Sequence, residues 1–217
     1  EAMRIVRTNL EFMLNSVPQN VAKTIFVTST FAGEGKTLLS VNLAATFALS
    51  GKRVLLIGMD IRSPKINELM AVANIGLTNY LSSNQQNIQE YIVKHKDYKN
   101  LHVLTAGVIP PNPAELLMSS KIDELFIQLK NEYDYIIVDT APVALVTDTL
   151  LIAKNADVFA YVIRANSLDK KMLSIANTLY KEKKLPNMCI LLNDTDTSKG
   201  YGYGYGYNEV KKKKKWF

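Results

Sequence analysis

The chain has 217 residues, 47% of them hydrophobic, which is enough for one α/β domain with a substantial core. No apolar run approaches the roughly 20 residues of a membrane-spanning helix, and the single cysteine, Cys189, cannot form an internal disulfide, so we expect a reducing compartment. Five consecutive lysines, Lys211–Lys215, account for most of the net charge of +6, which argues against a broad surface for nucleic acid and predicts no nucleic-acid partner.

Strand-like and helix-like segments alternate along the chain. Runs rich in Val, Ile and Leu predict six buried strands, at Lys23–Ser29, Arg53–Ile57, Leu101–Thr105, Tyr135–Asp139, Val158–Arg164 and Met188–Asn193. Helical patterns lie between them, at Lys36–Ser50, Ile122–Asn131 and Lys170–Lys183, and a further helix is predicted to begin at Ser63 and Pro64. This alternation predicts an α/β fold with a doubly wound, mostly parallel sheet that is covered by helices on both faces.

The first residues form a helical pattern with charges on one side. Spacings of three and six residues place Glu1, Arg4 and Arg7 within one arc of a helix, which turns by about 100° per residue. Such a face could pair with a neighbouring subunit, or it could be a solvated face with a local Glu–Arg pair worth about 0.3–0.5 kcal/mol. The residues alone favour the solvated face. Because the pattern is already helical at Glu1, we interpret the chain as a piece of a longer protein.

A glycine-rich turn joins the first predicted strand to the first long helix. Residues 30–37 read Thr-Phe-Ala-Gly-Glu-Gly-Lys-Thr, in which the glycines let backbone N–H groups point at a phosphate and the helix N-terminus adds partial positive charge. Lys36 can reach the β- and γ-phosphates of ATP, and the Thr37 hydroxyl can bind Mg²⁺. The predicted residues for binding ATP or ADP in this turn are Gly33, Glu34, Gly35, Lys36, Thr37 and Leu38.

Polar residues close three of the predicted strands. Asp60 and Arg62 follow the second strand, and Asp139 ends the fourth. In a doubly wound sheet these strand ends lie beside the phosphate-binding turn, where a carboxylate can hold the water shell of Mg²⁺ or accept a proton. Asn193 ends the last strand, where it could hydrogen-bond an adenine edge or simply form a turn.

The composition changes sharply after Ser198. Glycines alternate with four tyrosines, Tyr201, Tyr203, Tyr205 and Tyr207, and the lysine run follows. We therefore predict one domain over residues 1–198, with an N-terminal oligomerisation helix at 1–15, and a flexible tail over 199–217. The tail could be a phosphorylation substrate, since glycine spacing gives extended reach, or a low-complexity segment without that role. Its lysines could contact anionic lipid or only add solubility.

On these residues the sequence resembles the bacterial tyrosine kinases, or BY-kinases, of capsule and exopolysaccharide systems, over nearly the whole chain. The phosphate turn matches, and the family's apolar run ending in Asp-x-Asp-x-Arg is matched at Asp60 and Arg62. The other matching segments are the Walker B strand Tyr135–Asp139, the segment Gly107–Leu117, the Glu-x-x-Arg-x-x-Arg helix at Glu1–Arg7 and the tyrosine cluster. The resemblance implies a P-loop NTPase fold of the MinD/ParA-like branch and transfer of phosphate from MgATP to tyrosine.

The resemblance also implies partners and a place in the cell. It implies phosphorylation in trans of the tail tyrosines within a ring-shaped homo-oligomer, an octamer, that forms through Glu1, Arg4 and Arg7. It further implies a membrane-spanning chain-length regulator fused N-terminally, a tyrosine phosphatase, and a location at the cytoplasmic face of the bacterial inner membrane. For the chemistry we expect Thr37, Asp60 and Asp139 to hold the metal.

Within that chemistry, the expected catalytic residues have separate roles. Lys36 holds the phosphates, Asp60 accepts the tyrosine proton with Asp139 as the second choice, and Arg62 steadies the incoming chain or the transferred phosphate.

The sequence departs from the family pattern at three positions. Gly58 stands where the first Asp of Asp-x-Asp is usual, Ala32 where proline is common, and Ala141 where the first proline of Thr-Pro-Pro is usual. Two alternatives stay open. One is a partitioning or septum-placement ATPase, although Phe31 occupies the place of its signature lysine. The other is a non-catalytic nucleotide-binding scaffold of a polysaccharide export complex, for which Gly58 would mark lost chemistry.

Overall fold

The computed structural model describes residues 1–83 and 87–196, and within them a seven-stranded sheet forms the centre of the molecule. Its strands in chain order are β1 Lys23–Ser29, β2 Val54–Gly58, β3 Val93–Lys94, β4 Leu101–Leu104, β5 Tyr135–Asp139, β6 Val158–Arg164 and β7 Met188–Asn193. Across the sheet the order is β3-β4-β2-β5-β1-β6-β7, with β3 antiparallel to β4 and every other pair parallel.

Helices cover both faces of the sheet. They are α1 Ala2–Met13, α2 Lys36–Leu49, α3 Ile66–Met70, α4 Leu77–Ser82, α5 Pro113–Leu117, α6 Ser120–Lys130, α7 Asp148–Ile152 and α8 Leu173–Lys181. Short 3₁₀ helices lie at Ile88–Tyr91, Ala153–Asn155 and Lys170–Met172.

Each face of the sheet has its own apolar core, because alternate residues of a strand point to opposite sides. On one side, α1, α2 and α3 pack on the strands, and the ring of Phe47 stacks on Tyr135 with 4.0 Å between centroids. On the other side, α4 to α8 pack around Phe26, whose ring meets Phe159 edge-on at 5.3 Å. Strands buried on both faces explain the nearly continuous apolar runs of the sequence.

The strand register places the candidate site. Val27 of β1 and Gly58 of β2 both pair with Asp139 of β5, so the carboxyl ends of these three central strands lie level with one another. The phosphate turn follows β1, and the segment with Asp60 follows β2. Three separate segments therefore converge at one edge of the sheet. In open α/β sheets, ligands bind at this edge, outside the carboxyl ends of the strands.

The predicted fold class is confirmed, and the differences lie in short or irregular elements. Four strands have the predicted bounds, β2 is displaced by one residue, and β4 is shorter by one. The helix predicted to begin at Ser63 and Pro64 begins at Ile66 instead, because the Ser63 N–H donates to Asp60 Oδ1 at 3.1 Å and holds the preceding residues in a turn. The two-residue strand β3 and the short helices α4, α5 and α7 were not predicted.

The tail predicted for 199–217, the domain boundary at 198 and the four tail tyrosines lie outside the described residues. Over residues 1–83 and 87–196, every helix is too short or too polar to cross a membrane.

Candidate active site

The turn between β1 and α2 has the backbone geometry of a phosphate cradle. Gly33 and Gly35 have φ of 88° and 92°, in the left-handed region that favours glycine. Helix α2 begins directly afterwards at Lys36, and no side chain of residues 1–83 or 87–196 caps it. Because the first N–H groups of a helix have no partner within the helix, those of α2 can bind the oxygens of a phosphate.

Contacts to the last strand brace this turn. The Asn193 side chain donates from Nδ2 to the carbonyl oxygen of Glu34 at 3.0 Å, and a Cβ at Gly35 would clash with that nitrogen. The Glu34 carboxylate is buried and accepts the Phe31 N–H at 2.8 Å, so it also braces the turn. The backbone of Glu34 can take part in phosphate binding, whereas its side chain holds the turn in shape.

Lys36 lies between the two predicted carboxylates. Its Nζ is 2.9 Å from Asp60 Oδ2 and 3.6 Å from Asp139 Oδ1. All three residues are buried, with exposed fractions of 8%, 6% and 1%. A buried ammonium close to two buried carboxylates offsets part of their desolvation cost, which keeps the three charged groups together. The structure thus brings together the strand-end acids and the lysine that the sequence predicted for one site.

The two carboxylates differ in access. Asp60 lines an open cleft of about 350 Å³, together with Lys36 and Arg62. Asp139 does not line that cleft, and the Ser40 hydroxyl donates to it at 3.4 Å. Burial raises the pKa of Asp139 to about 6, although the Lys36 charge and a hydrogen bond from Thr37 act in the opposite direction. A substrate in the cleft can therefore reach Asp60 more directly than Asp139.

The donor set suits Mg²⁺. Within residues 1–83 and 87–196, no group of three or more His, Cys, Asp or Glu side chains could form a complete protein cage for a metal. Mg²⁺ does not need one, because it commonly takes one or two carboxylates, keeps several waters and binds substrate phosphates. Asp60 and Asp139 with the Thr37 hydroxyl provide such oxygen ligands beside the phosphate turn.

Arg62 is held by a residue that the sequence analysis did not identify. Its guanidinium donates through Nε to Asp148 Oδ2 at 2.6 Å and through a second nitrogen to Oδ1 at 3.0 Å. The Asp148 side chain is 2% exposed and that of Arg62 is 41% exposed. The hydrogen bond to Asp148 raises the pKa of Arg62 above its usual value. No local pattern marks Asp148, because its partner is 86 residues away.

Gly58, which stands where the family usually has an aspartate, lies in a crowded part of the structure. A Cβ at this position would lie 3.0 Å from the Ala106 nitrogen and 3.5 Å from Ile66 Cδ1, so the backbone around it leaves little room for a side chain. Asp60 and Asp139 therefore remain the predicted strand-end carboxylates next to Lys36.

A second cavity of about 310 Å³ lies on the other side of the phosphate turn, at the ends of β6 and β7. Its lining includes Arg164, Leu168 and Leu192. Arg164 donates to the Gly33 carbonyl oxygen at 3.5 Å and to Asp194 at 3.0 Å. The turn from Gly33 to Lys36 is thus a ridge between two cavities.

The charged residues of α1 share one groove. Glu1, Arg4 and Arg7 line a cavity of about 300 Å³ against the C-terminal end of α2. The Arg4 guanidinium is 3.4 Å from the Glu1 carboxylate, and both side chains are exposed. Among the residues that the structure describes, the Arg7 Nε is buried without a hydrogen-bond partner. The geometry agrees with the predicted one-sided face, and its role in assembly stays a prediction.

A protein-family profile and a curated relative both match most of this chain. The AAA domain family profile matches residues 22–185. The tyrosine-protein kinase YwqD of Bacillus subtilis (strain 168) is 39% identical over 177 residues, which cover 81% of this chain and 73% of that protein.

Solved structures extend the comparison to the fold. The kinase domain of the Escherichia coli tyrosine kinase ETK superposes with a TM-score of 0.79 and 29% identity, covering 95% of this chain and 79% of that one. The septum site-determining protein MinD of Pyrococcus horikoshii OT3, complexed with Mg-ADP, gives a TM-score of 0.63 at 21% identity, over 78% of this chain and 68% of that one. This last likeness shows the fold alone.

Proposed function

Because the chain belongs to the bacterial tyrosine-protein kinases, it is an ATP-dependent phosphotransferase, and we propose that it transfers the γ-phosphate of MgATP to the tyrosines of its own tail. The observation that carries this proposal is the position of Lys36, on the phosphate turn and between the carboxylates of Asp60 and Asp139. The acceptors are Tyr201, Tyr203, Tyr205 and Tyr207.

In this mechanism the phosphate turn binds and orients the nucleotide. The N–H groups from Gly33 to Leu38 hold the phosphate oxygens, and Lys36 moves from Asp60 to the β- and γ-phosphates. Thr37, Asp60 and Asp139 would hold Mg²⁺, which neutralises charge on the phosphates when it is bound. Lys36 contacts the same two carboxylates that would hold the metal, which supports this exchange of partners.

The transfer step requires an acceptor oxygen in line with the bond that breaks. The tyrosine oxygen bonds to the γ-phosphorus, the bond from that phosphorus to the β–γ bridging oxygen breaks, and ADP leaves. The phenolic proton passes to Asp60, because Asp60 lines the cleft and Asp139 does not. Arg62, fixed by Asp148, is placed to steady the transferred phosphate or the incoming chain.

The nucleoside lies in the second cavity in our proposal. Asn193 and Arg164 connect this cavity to the phosphate turn through the carbonyl oxygens of Glu34 and Gly33. With the base and ribose on that side of the ridge, the cleft that contains Asp60 and Arg62 stays open to the acceptor.

Assembly and biological context complete the proposal. A ring-shaped homo-oligomer, an octamer, would form through the α1 face of Glu1, Arg4 and Arg7, and each tail would be phosphorylated in trans. The regulated process would be polymerisation and export of capsular polysaccharide or exopolysaccharide, at the cytoplasmic face of the inner membrane. A membrane-spanning chain-length regulator and a tyrosine phosphatase would be the partners. The supports are family membership and the groove that the three charged residues line.

Intact-mass measurement tests the proposal. After incubation with MgATP, we expect the chain to gain steps of about 80 Da, one for each phosphate. An ATPase switch that only hydrolyses ATP, or a scaffold that only binds it, leaves the mass unchanged. A Lys36→Met chain that gained the same steps would contradict the mechanism.

A further inference from the structure

Three leucines project around the mouth of the cleft that contains Lys36 and Asp60. Leu38 comes from the first turn of α2, Leu69 from α3 and Leu145 from the segment after β5. Their exposed fractions are 55%, 51% and 63%. None of the three belongs to either apolar core of the described residues. Packing of the domain therefore does not account for them.

The nucleotide does not account for these leucines either. In the proposed function the base and ribose occupy the cavity beside Asn193, on the other side of the phosphate turn. The phosphates reach the leucine cleft where the phosphate turn lines it, beside Lys36 and Asp60. The apolar wall is thus left on the side from which an acceptor must approach.

We propose that Leu38, Leu69 and Leu145 form the binding site for the aromatic ring of the acceptor tyrosine, supplied by the Gly–Tyr segment at residues 201–207. This inference rests on the proposed function and names the side chains that select its substrate class. The three leucines of the cleft are exposed and its Lys36 and Asp60 are buried, so apolar surface lies near solvent and charged groups lie deeper. A tyrosine has the matching arrangement of an apolar ring with a hydroxyl at its tip.

The depth of the cleft favours tyrosine over the other hydroxyl residues. With the ring against the leucines, the phenolic oxygen extends a ring's length from the main chain, toward the buried Asp60. A serine hydroxyl stays close to its own main chain and leaves the leucines in water. The glycines between the tyrosines let the peptide main chain approach the exposed leucines without a clash of side chains.

The test uses the full chain and an added peptide with the sequence of residues 200–207. We expect the KM for this peptide to rise about tenfold in the double variant Leu69→Ala, Leu145→Ala, while the affinity for MgADP changes less than about twofold, because only acceptor binding is lost. The matched control is Ile127→Ala on α6, which removes an apolar side chain that is 68% exposed and distant from the cleft. A peptide with phenylalanine in place of each tyrosine is expected to inhibit competitively, and one with serine is not.

The experiment distinguishes failure of the proposed leucine site from failure of the proposed kinase function. If the wild-type chain phosphorylates the peptide and the double variant does so with the same KM as Ile127→Ala, the leucine site is wrong and the kinase proposal stands. If the wild-type chain transfers no phosphate to the peptide or to its own tail, the proposed function is wrong and the leucine site is overturned with it.

Discussion

The Lys36 ammonium lies 2.9 Å from the Asp60 carboxylate, and both groups are buried. This ion pair joins the start of α2 to the segment after β2, and Asp139 lies 3.6 Å from the same ammonium. The phosphate-binding lysine thus already offsets part of the charge of the two proposed metal-holding carboxylates in the folded chain. In the proposed mechanism, nucleotide and metal would exchange partners within an organised site, which would avoid the cost of assembling it.

The Arg62–Asp148 pair should contribute measurably to stability. Arg62→Ala leaves a buried carboxylate without its partner, so we expect a loss of about 2–4 kcal/mol in the free energy of unfolding. The double variant Arg62→Ala, Asp148→Ala should lose less than the sum of the single changes. Urea denaturation of the double-mutant cycle measures this coupling.

The exposed pair of Arg4 and Glu1 is the control for that cycle. At 3.4 Å and in water, it should couple by at most about 0.5 kcal/mol. Equal coupling energies for the two pairs would show that Asp148 does not hold Arg62 in place.

The two glycines of the phosphate turn should respond differently to alanine. Both have positive φ, so either substitution costs about 1–2 kcal/mol of stability. Within the described part of the chain, a Cβ at Gly33 meets nothing within 4 Å, whereas one at Gly35 would displace the Asn193 side chain. We therefore expect Gly35→Ala to weaken MgADP binding more than Gly33→Ala, as measured by calorimetry.

A second substitution separates the steric effect from the backbone strain. Asn193→Ala removes the atom that clashes with the new Cβ, so it should recover part of the stability that Gly35→Ala loses and none of the loss in Gly33→Ala. Identical behaviour of the two glycine variants in the Asn193→Ala background would contradict the contact.

His102 should make stability depend on pH. Burial and the nearby Lys94 charge lower the pKa of His102 below its usual 6.5, so the unfolded chain takes up a proton at a higher pH than the folded chain. This contribution to stability is fully present above about pH 6.5 and is lost as the pH falls through the lowered native pKa. Unfolding followed from pH 7 to pH 5 should show a shallower dependence for His102→Asn than for the wild type.

His102 also has a hydrogen-bond partner, whose effect on stability needs a separate control variant. His102 Nδ1 is 2.8 Å from the Tyr133 hydroxyl, and Tyr133→Phe removes that bond while keeping the histidine. A pH dependence that is unchanged by His102→Asn would show that other groups cause it.

Phosphorylation in trans can be tested by mixing two variants. One carries Lys36→Met and an intact tail, and the other carries an active site and phenylalanine in place of Tyr201, Tyr203, Tyr205 and Tyr207. Neither should gain phosphate alone on these residues, and the Lys36→Met chain should gain it on mixing with MgATP. If the wild type gains phosphate and the mixed Lys36→Met chain does not, transfer occurs within one chain.

The elements that the sequence predicted well are those with strong local signals. The strand ending at Asp139 is a continuous apolar run, and the phosphate turn combines glycines with a lysine at a strand–helix junction. Because the carboxyl ends of parallel strands meet at one edge, these signals also predicted that Asp60, Asp139 and Lys36 belong to one site.

The remaining features depend on tertiary contacts. The bond from Asn193 to the Glu34 carbonyl joins residues 159 positions apart, and the pairing of Arg62 with Asp148 leaves no spacing pattern in the sequence. The three leucines of the cleft come from three separate elements, so only the fold shows that they share one surface. Helices as short as α7 carry too few residues to show a helical period.

A crystal structure after soaking with ADP and Mg²⁺ tests the central claim most directly. We expect the β-phosphate against the backbone N–H groups between Gly33 and Thr37, the metal facing Asp60 and Asp139, and the Lys36 Nζ turned from Asp60 toward the phosphate. Nucleotide bound elsewhere with this turn empty, or both carboxylates turned away from the metal, would contradict the account.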